Sequence, residues 1–247
     1  MATNDWFATW FNSPYYHILY KNRDENEAKI FMSNLAEYLA IPAKASILDA
    51  ACGKGRHSAF LASNGFAVTG FDLATDSIAA AKKTYEALIN NPFHQLDFFV
   101  HDIRKPFREN GFDYVFNLFT SFGYFETEEE NQETISALAA SLKAGGRLVI
   151  DFFNTEKIVA SLPQNETKEI DGVRFAISKS LQGKFIVKDI RFEDKHFQER
   201  VIAIQYQDFM RYFEQANLQV QKCFGDYQLS DYESSNSDRM IWLVKKL

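Results

Sequence analysis

The strongest constraint on this chain is a nine-residue stretch, Ile47-Leu48-Asp49-Ala50-Ala51-Cys52-Gly53-Lys54-Gly55, with an acid, Asp72, 17 residues beyond it at the end of the next apolar run. An apolar strand here runs into a turn of small residues, and a helix opens at once near Arg56 and continues to Asn64. Small residues at 50, 51, 53 and 55 let a ligand come close to the backbone where larger side chains would block it. The opening turn of the helix offers unpaired N–H groups and a positive dipole end. Asp72 is placed to accept hydrogen bonds from ribose hydroxyls. The pattern describes a site for an adenosine-containing cofactor.

The details of the turn narrow the choice of cofactor. A dinucleotide fingerprint reads G-x-G-x-x-G/A, whereas Gly53-Lys54-Gly55-Arg56-His57-Ser58 ends in Ser. The turn is also preceded by an acid, Asp49, which would repel a pyrophosphate but would accept a hydrogen bond from an ammonium group. S-adenosylmethionine (SAM) carries an ammonium, a carboxylate and a sulfonium, and no phosphate. An NAD-dependent enzyme would also want a proton-transfer pair such as Tyr-x-x-x-Lys, and neither Tyr212 nor Tyr227 supplies one.

Along the chain, strands are expected at 45–50, 66–71, 95–100, 112–119 and 147–153. Helices are expected at 24–40, 56–64 and 75–89, with another from the capping box Thr127-x-x-Glu130 to Leu142. This alternation predicts an α/β fold with a doubly wound parallel sheet, which binds ligands outside the carboxyl ends of its strands where the strand order reverses. Asp49, Asp72, Asp102 and Asn117 all fall near such ends. From about 167 to 206 the period changes to two, with turn residues at Asp171-Gly172, Gln182-Gly183 and Glu193-Asp194-Lys195. An antiparallel β-meander inserted at 155–205 is the expectation. A helix at 208–216 and strands at 218–224 and 240–244 close the chain. Residues 1–23 form an arm with eight aromatic rings in its first 20 residues: Trp6, Phe7, Trp10, Phe11, Tyr15, Tyr16, His17 and Tyr20. That exceeds what one short helix would bury, so the arm is read as a lid over the pocket.

Composition excludes several classes. With 46% hydrophobic and 24% charged residues in 247, the chain supports one sizeable core and is not globally disordered. A net charge of −6 argues against a long basic footprint for duplex nucleic acid. Cys52 and Cys223 are far apart and lack metal-ligand spacing, and no His/Cys/Asp spacing suggests a metal. The expected setting is a reducing, cytoplasmic one, with no signal peptide and no membrane span.

The run D-x-A-x-G-x-G at 49–55 resembles the first motif of the class I SAM-dependent methyltransferases, and the resemblance extends over 24–154 and 206–247. Gly53-Lys54-Gly55-Arg56-His57-Ser58 and Leu118-Phe119-Thr120-Ser121-Phe122-Gly123-Tyr124-Phe125 are similar to a bacterial small-molecule subgroup. The resemblance implies a Rossmann-like seven-stranded sheet with the last strand antiparallel, and an inserted sheet over the substrate. It implies that Asp49, Ala51, Gly53 and Gly55 surround the methionine part of SAM. Asp72 would hold the ribose with Leu73 on the adenine side, Asp102 the adenine amino group with Ile103 flanking the ring, and Asn117 and Leu118 would lie beneath the sulfonium. Ala51 stands where many members have Gly, and a methyl group is expected to fit there.

The activity so implied is transfer of a methyl group to a nitrogen or oxygen of a small molecule, releasing S-adenosylhomocysteine. A non-catalytic SAM-binding module and an RNA or protein methyltransferase are the alternatives. No residue declares itself as a base: Tyr16, His17 and Tyr124 are the candidates, and a lone histidine such as His57 or His101 is more often structural. The lack of an obvious base leans the reading toward nitrogen. The chain is expected to act as a monomer or homodimer.

Overall fold

A computed structural model describes residues 6–11, 13–20 and 25–247; the side chains at 6–8, 17 and 25–28 lie outside the description. Two short helices, α1 (Trp6–Phe11) and α2 (Pro14–Leu19), form the arm. The main domain follows as α3 (Glu25–Tyr38), β1 (Ser46–Ala50), α4 (Arg56–Ser63), β2 (Ala67–Asp72), α5 (Thr75–Thr84), α6 (Glu86–Ile89), β3 (Gln95–Val100), β4 (Phe112–Asn117), α7 (Glu128–Ser141) and β5 (Leu142–Phe153). The insertion is α8 (Thr155–Ala160), β6 (Gln164–Ile170), β7 (Val173–Gln182), β8 (Phe185–Phe192) and β9 (Lys195–Ile202). α9 (Tyr206–Gln215), β10 (Leu218–Phe224) and β11 (Arg239–Lys246) complete the chain.

Seven strands pair in the order β10-β11-β5-β4-β1-β2-β3, and β11 alone runs antiparallel to its neighbours. The chain builds outward from β1 to β3, then crosses back to place β4 on the other side of β1. The order therefore reverses between β1 and β4, which fixes where a ligand crevice opens. Alternate residues of each strand enter different cores, as a period of two requires. Leu48, Val115, Ile150 and Trp242 meet α7, α9 and the inserted strands. Ile47, Phe116, Val149 and Ile241 meet α3, α4 and α5. Both faces are thus covered, as nearly continuous apolar strands demand.

Five differences from the sequence expectation have local causes. The helix expected at 75–89 is interrupted at Tyr85, which leaves helical geometry (φ −107°, ψ 20°) and packs its ring on Phe98. β4 stops at Asn117 rather than 119, because Phe119 and Thr120 both take left-handed backbone conformations. β5 begins at Leu142 rather than 147, directly after α7, with Gly145 at φ 74°. β6 was not expected as a strand: Gln-Asn-Glu-Thr-Lys-Glu-Ile has no apolar alternation, and pairing with β7 alone places it at the sheet edge. The helix α8 was also missed; its N-cap is Asn154, whose side chain accepts the Lys157 N–H.

The inserted strands form a separate antiparallel sheet in the order β6-β7-β8-β9. Phe185, Val187 and Ile202 join the main core. Phe175, Ile177, Ile190 and Phe192 pack instead with Trp10 and Leu19 of the arm.

Candidate functional site

A cavity of about 540 Å³ opens at the carboxyl ends of the central strands. Its floor is the turn after β1. Ala51, Gly53 and Gly55 all have positive φ, at 62°, 56° and 76°. At Gly53 a Cβ would meet nothing within 4 Å, so the backbone faces open space on the cavity wall. Gly55 does different work and is not on the wall. A Cβ there would sit 2.3 Å from the Phe98 ring, so its missing side chain lets α4 dock against β3. At Ala51 the left-handed backbone adds a cost beyond the room its methyl group needs: an L residue there loses roughly 1–2 kcal/mol, which a glycine would avoid.

Asp49, Asp72 and Asp102 come together on this floor with Leu73, Ile103 and Leu118. Asp49 is buried and accepts the Ser58 hydroxyl at 2.6 Å. Burial pushes its carboxyl up to about 6, against the lowering effect of Ser58. Asp72 accepts the Gly53 N–H at 2.8 Å on one oxygen and the Ala74 N–H at 2.9 Å on the other. It therefore locks the glycine turn in place, and burial raises its pKa in spite of those N–H groups. Asp102 is tied to its own turn: the Arg104 N–H reaches it at 3.0 Å and the Arg104 guanidinium at 2.7 Å. Burial pushes that carboxyl up, but Arg104 outweighs it and holds the group below the usual range. Asn117 does not line the cavity. It is fully buried, donates to the Ala50 carbonyl at 3.0 Å and the Ser121 carbonyl at 3.4 Å, and has no hydrogen-bond partner for its own oxygen among the described residues.

The rest of the lining comes from the arm, the loop between β4 and α7, and the inserted sheet. Phe11, Tyr16 and Tyr20 line the cavity with Tyr124, Phe125 and Glu199 of β9. Glu199 accepts the Trp10 indole N–H at 2.8 Å and the Tyr20 hydroxyl at 2.5 Å, and pairs with Lys188 at 3.5 Å. Sequence reasoning missed Glu199, because an isolated acid in a polar strand carries no motif.

Residues 47–146 match the family of methyltransferase domains. Over those residues the chain carries a methyltransferase domain. The Bacillus subtilis methyltransferase YqeM is 26% identical over 223 residues, covering 84% of this chain and 86% of that one. A dTDP-3-amino-3,4,6-trideoxy-alpha-D-glucopyranose N,N-dimethyltransferase of Streptomyces venezuelae is 31% identical over 110 residues, 44% of this chain and 43% of that one. The crystal structure of a SAM-dependent methyltransferase from Clostridium acetobutylicum superposes with a TM-score of 0.78 at 17% identity, covering 94% of this chain and 96% of that one, and so shares its fold.

Among the acid–base candidates of this methyltransferase, the His17 side chain lies outside the described residues. Tyr16 packs edge-on against Trp10 and Phe11. The Tyr124 hydroxyl donates to the Thr120 carbonyl. His57 also lines the cavity, but burial, with the adjacent Arg56 cation, pushes its imidazole down to about 3. It stays neutral near pH 7, stacked flat on Phe119 (4.6 Å between centroids, 3° between planes). His101 is turned to the Lys105 carbonyl at 2.9 Å. The described residues hold no cluster of three or more possible metal ligands, and none of their helices is long and apolar enough to cross a membrane.

Proposed function

We propose that this methyltransferase transfers a methyl group from SAM to a small-molecule acceptor, with a nitrogen favoured over an oxygen. The observation that carries this reading is one cavity with two chemically different walls: a backbone cradle with three carboxylates below, and aromatic rings with one carboxylate above. When bound, SAM supplies a methyl group already activated by the sulfonium charge.

The residues fit that group. Gly53 leaves the cradle open. Asp72 accepts one backbone N–H on each oxygen and keeps lone pairs that would accept ribose hydroxyls. Asp49 would accept an ammonium N–H at the strand tip. Leu73 and Ile103 would flank the adenine, with Asp102 at its amino group. Leu118 faces the reacting end, while Gly55 and Asn117 act from behind by shaping the turn and the loop after β4.

The protein's task is to align the acceptor with the carbon–sulfur bond and to exclude water. Such positioning supplies about 7–11 kcal/mol of barrier lowering. The described part of the arm acts as the lid, through Phe11, Tyr16 and Tyr20; residues 1–5, 12 and 21–23 of the expected lid lie outside the described residues. A neutral amine needs no base to attack, and the aromatic walls favour that form by desolvation. The two cysteines are free, which fits a reducing cytoplasmic setting. The N,N-dimethyltransferase relative from Streptomyces venezuelae supports a nitrogen acceptor.

Calorimetry with SAM, S-adenosylhomocysteine and NAD tests the cofactor: the first two bind and NAD does not. Release of S-adenosylhomocysteine across a library of amines and alcohols tests the acceptor. Binding without turnover on any compound would favour a non-catalytic SAM module, and salt-dependent turnover on tRNA would favour an RNA methyltransferase.

A further inference from the structure

The loop after β4 contains an unusual backbone. Phe119 and Thr120, neither of them glycine, sit consecutively at φ 57° and 58°. L residues rarely hold one left-handed position without support, and two in a row require an anchor. The strained pair lies at the cavity, where Leu118, Phe119 and Ser121 form wall beside His57 and Gly53.

The anchor is a buried carboxylate in the middle of β5. Asp151 is fully buried. One of its oxygens accepts the Phe119 N–H at 2.8 Å and the Tyr227 hydroxyl at 3.1 Å. The other accepts the Arg239 guanidinium at 2.7 Å. The Asp151 backbone carbonyl accepts the Thr120 N–H at 3.0 Å, and Arg239 reaches the Thr120 hydroxyl at 2.8 Å. Both N–H groups of the strained pair therefore end on Asp151. The Phe119 ring, so held, stacks on His57 and packs against Phe31 and Tyr227. A charge this deep would be expensive if it only filled space, and its carboxylate, its backbone carbonyl and the Arg239 it pairs with all reach the left-handed pair.

We infer that Asp151, clamped by Arg239, is a positioning residue: it holds the left-handed Phe119–Thr120 turn and thereby sets the cavity wall against which SAM binds. The inference rests on the proposed SAM-dependent activity, but it makes a separate demand. If Asp151 acts through the backbone of this turn, a residue that adopts the left-handed conformation freely should make Asp151 less necessary.

The test is calorimetry with SAM on the full chain and on Asp151→Asn, Thr120→Gly and the double variant, with thermal melts alongside. Asp151→Asn should weaken SAM binding on the order of tenfold, the effect expected from releasing a strained pair. Thr120→Gly alone loses the hydroxyl that Arg239 holds but takes φ 58° without a Cβ penalty, so its affinity should fall less than that of Asp151→Asn, by no more than about threefold. The double variant should recover most of the lost affinity even if its melting temperature stays low, which a general core defect would not allow. Should Asp151→Asn not fold, Arg239→Lys serves in its place, since it keeps the charge but loses the planar fork that spans Asp151 and Thr120; the same rescue by Thr120→Gly is expected. Parent-like affinity in the variant that folds, or no recovery in the double variant, overturns the role of Asp151 and leaves the cofactor reading intact. A parent chain that fails to bind SAM overturns both.

Discussion

The two walls of the cavity are built on different principles. The lower wall is made of backbone: a turn with left-handed positions at 51 and 53, fixed by the Asp72 carboxylate, with Gly55 packed behind it. The upper wall is made of side-chain volume: Phe11, Tyr16, Tyr20, Tyr124 and Phe125, with the Glu199 carboxylate among them. Backbone geometry tolerates few residue types, so the lower wall is stringent. Ring packing tolerates many, so the upper wall is free to vary with whatever it encloses. A shared donor below and an individual acceptor above is the arrangement this contrast suits.

The largest effect that would sharpen the contrast is expected at Gly55. Gly55→Val places a methyl-bearing carbon into the Phe98 ring and forces a left-handed β-branched residue. Overpacking and strain together should cost about 3–5 kcal/mol, read as a fall in the urea midpoint. Gly53→Ala, with open space around it, should lose only about 1–2 kcal/mol. Equal losses at the two sites would show that the turn is not divided into a packing glycine and a cradle glycine.

Next comes Asp49. Its folded pKa of about 6 lies above the ordinary value of 3.8 because of burial. The native state therefore holds a proton that the unfolded state releases between roughly pH 4 and 6. Stability from this group is full below that window and lost as pH rises through it, by at most about 3 kcal/mol. Urea titrations of the parent and Asp49→Asn across pH 4 to 7 should differ by that slope, and superimposable curves would remove the buried charge from the lower wall's energetics. Asp72→Ala should weaken SAM by about 1.5–3 kcal/mol, because a charged acceptor is lost. Calorimetry decides this, and unchanged affinity would refute the ribose role.

The smallest effect belongs to the upper wall. Glu199→Gln keeps an acceptor for Trp10 and Tyr20 but removes the charge, a change worth about 1 kcal/mol per hydrogen bond. SAM affinity should be unchanged while the KM of the acceptor rises several-fold. A loss of SAM affinity instead would mean that the two walls are not functionally separate.

How legible each wall is in the sequence follows from the same contrast. The strand order, the reversal at β1 and β4 and the carboxylates at 49, 72 and 102 can be anticipated, since small residues at fixed spacing and acids at strand ends carry the information locally. Gly55 and Asn117 show the limit of that reading. Both belong to the expected motifs, yet one packs a helix and the other sits beneath the wall, because spacing does not say which way a residue faces. Asp151 and Glu199 are invisible in the sequence. Their meaning lies in partners more than 30 residues away for Phe119 and 179 residues away for Tyr20. The polar edge strand β6 was missed because its stability comes from backbone pairing with β7 and not from its side chains.

The docking of the arm on the inserted sheet has a practical corollary. Trp10 and Leu19 share a core with Phe175, Ile177, Ile190 and Phe192, so the two arm helices and strands more than 150 positions downstream are structurally one part. Grafting either piece alone into a related enzyme would bare an oily surface. Anyone wishing to exchange what this catalyst accepts should transplant both together.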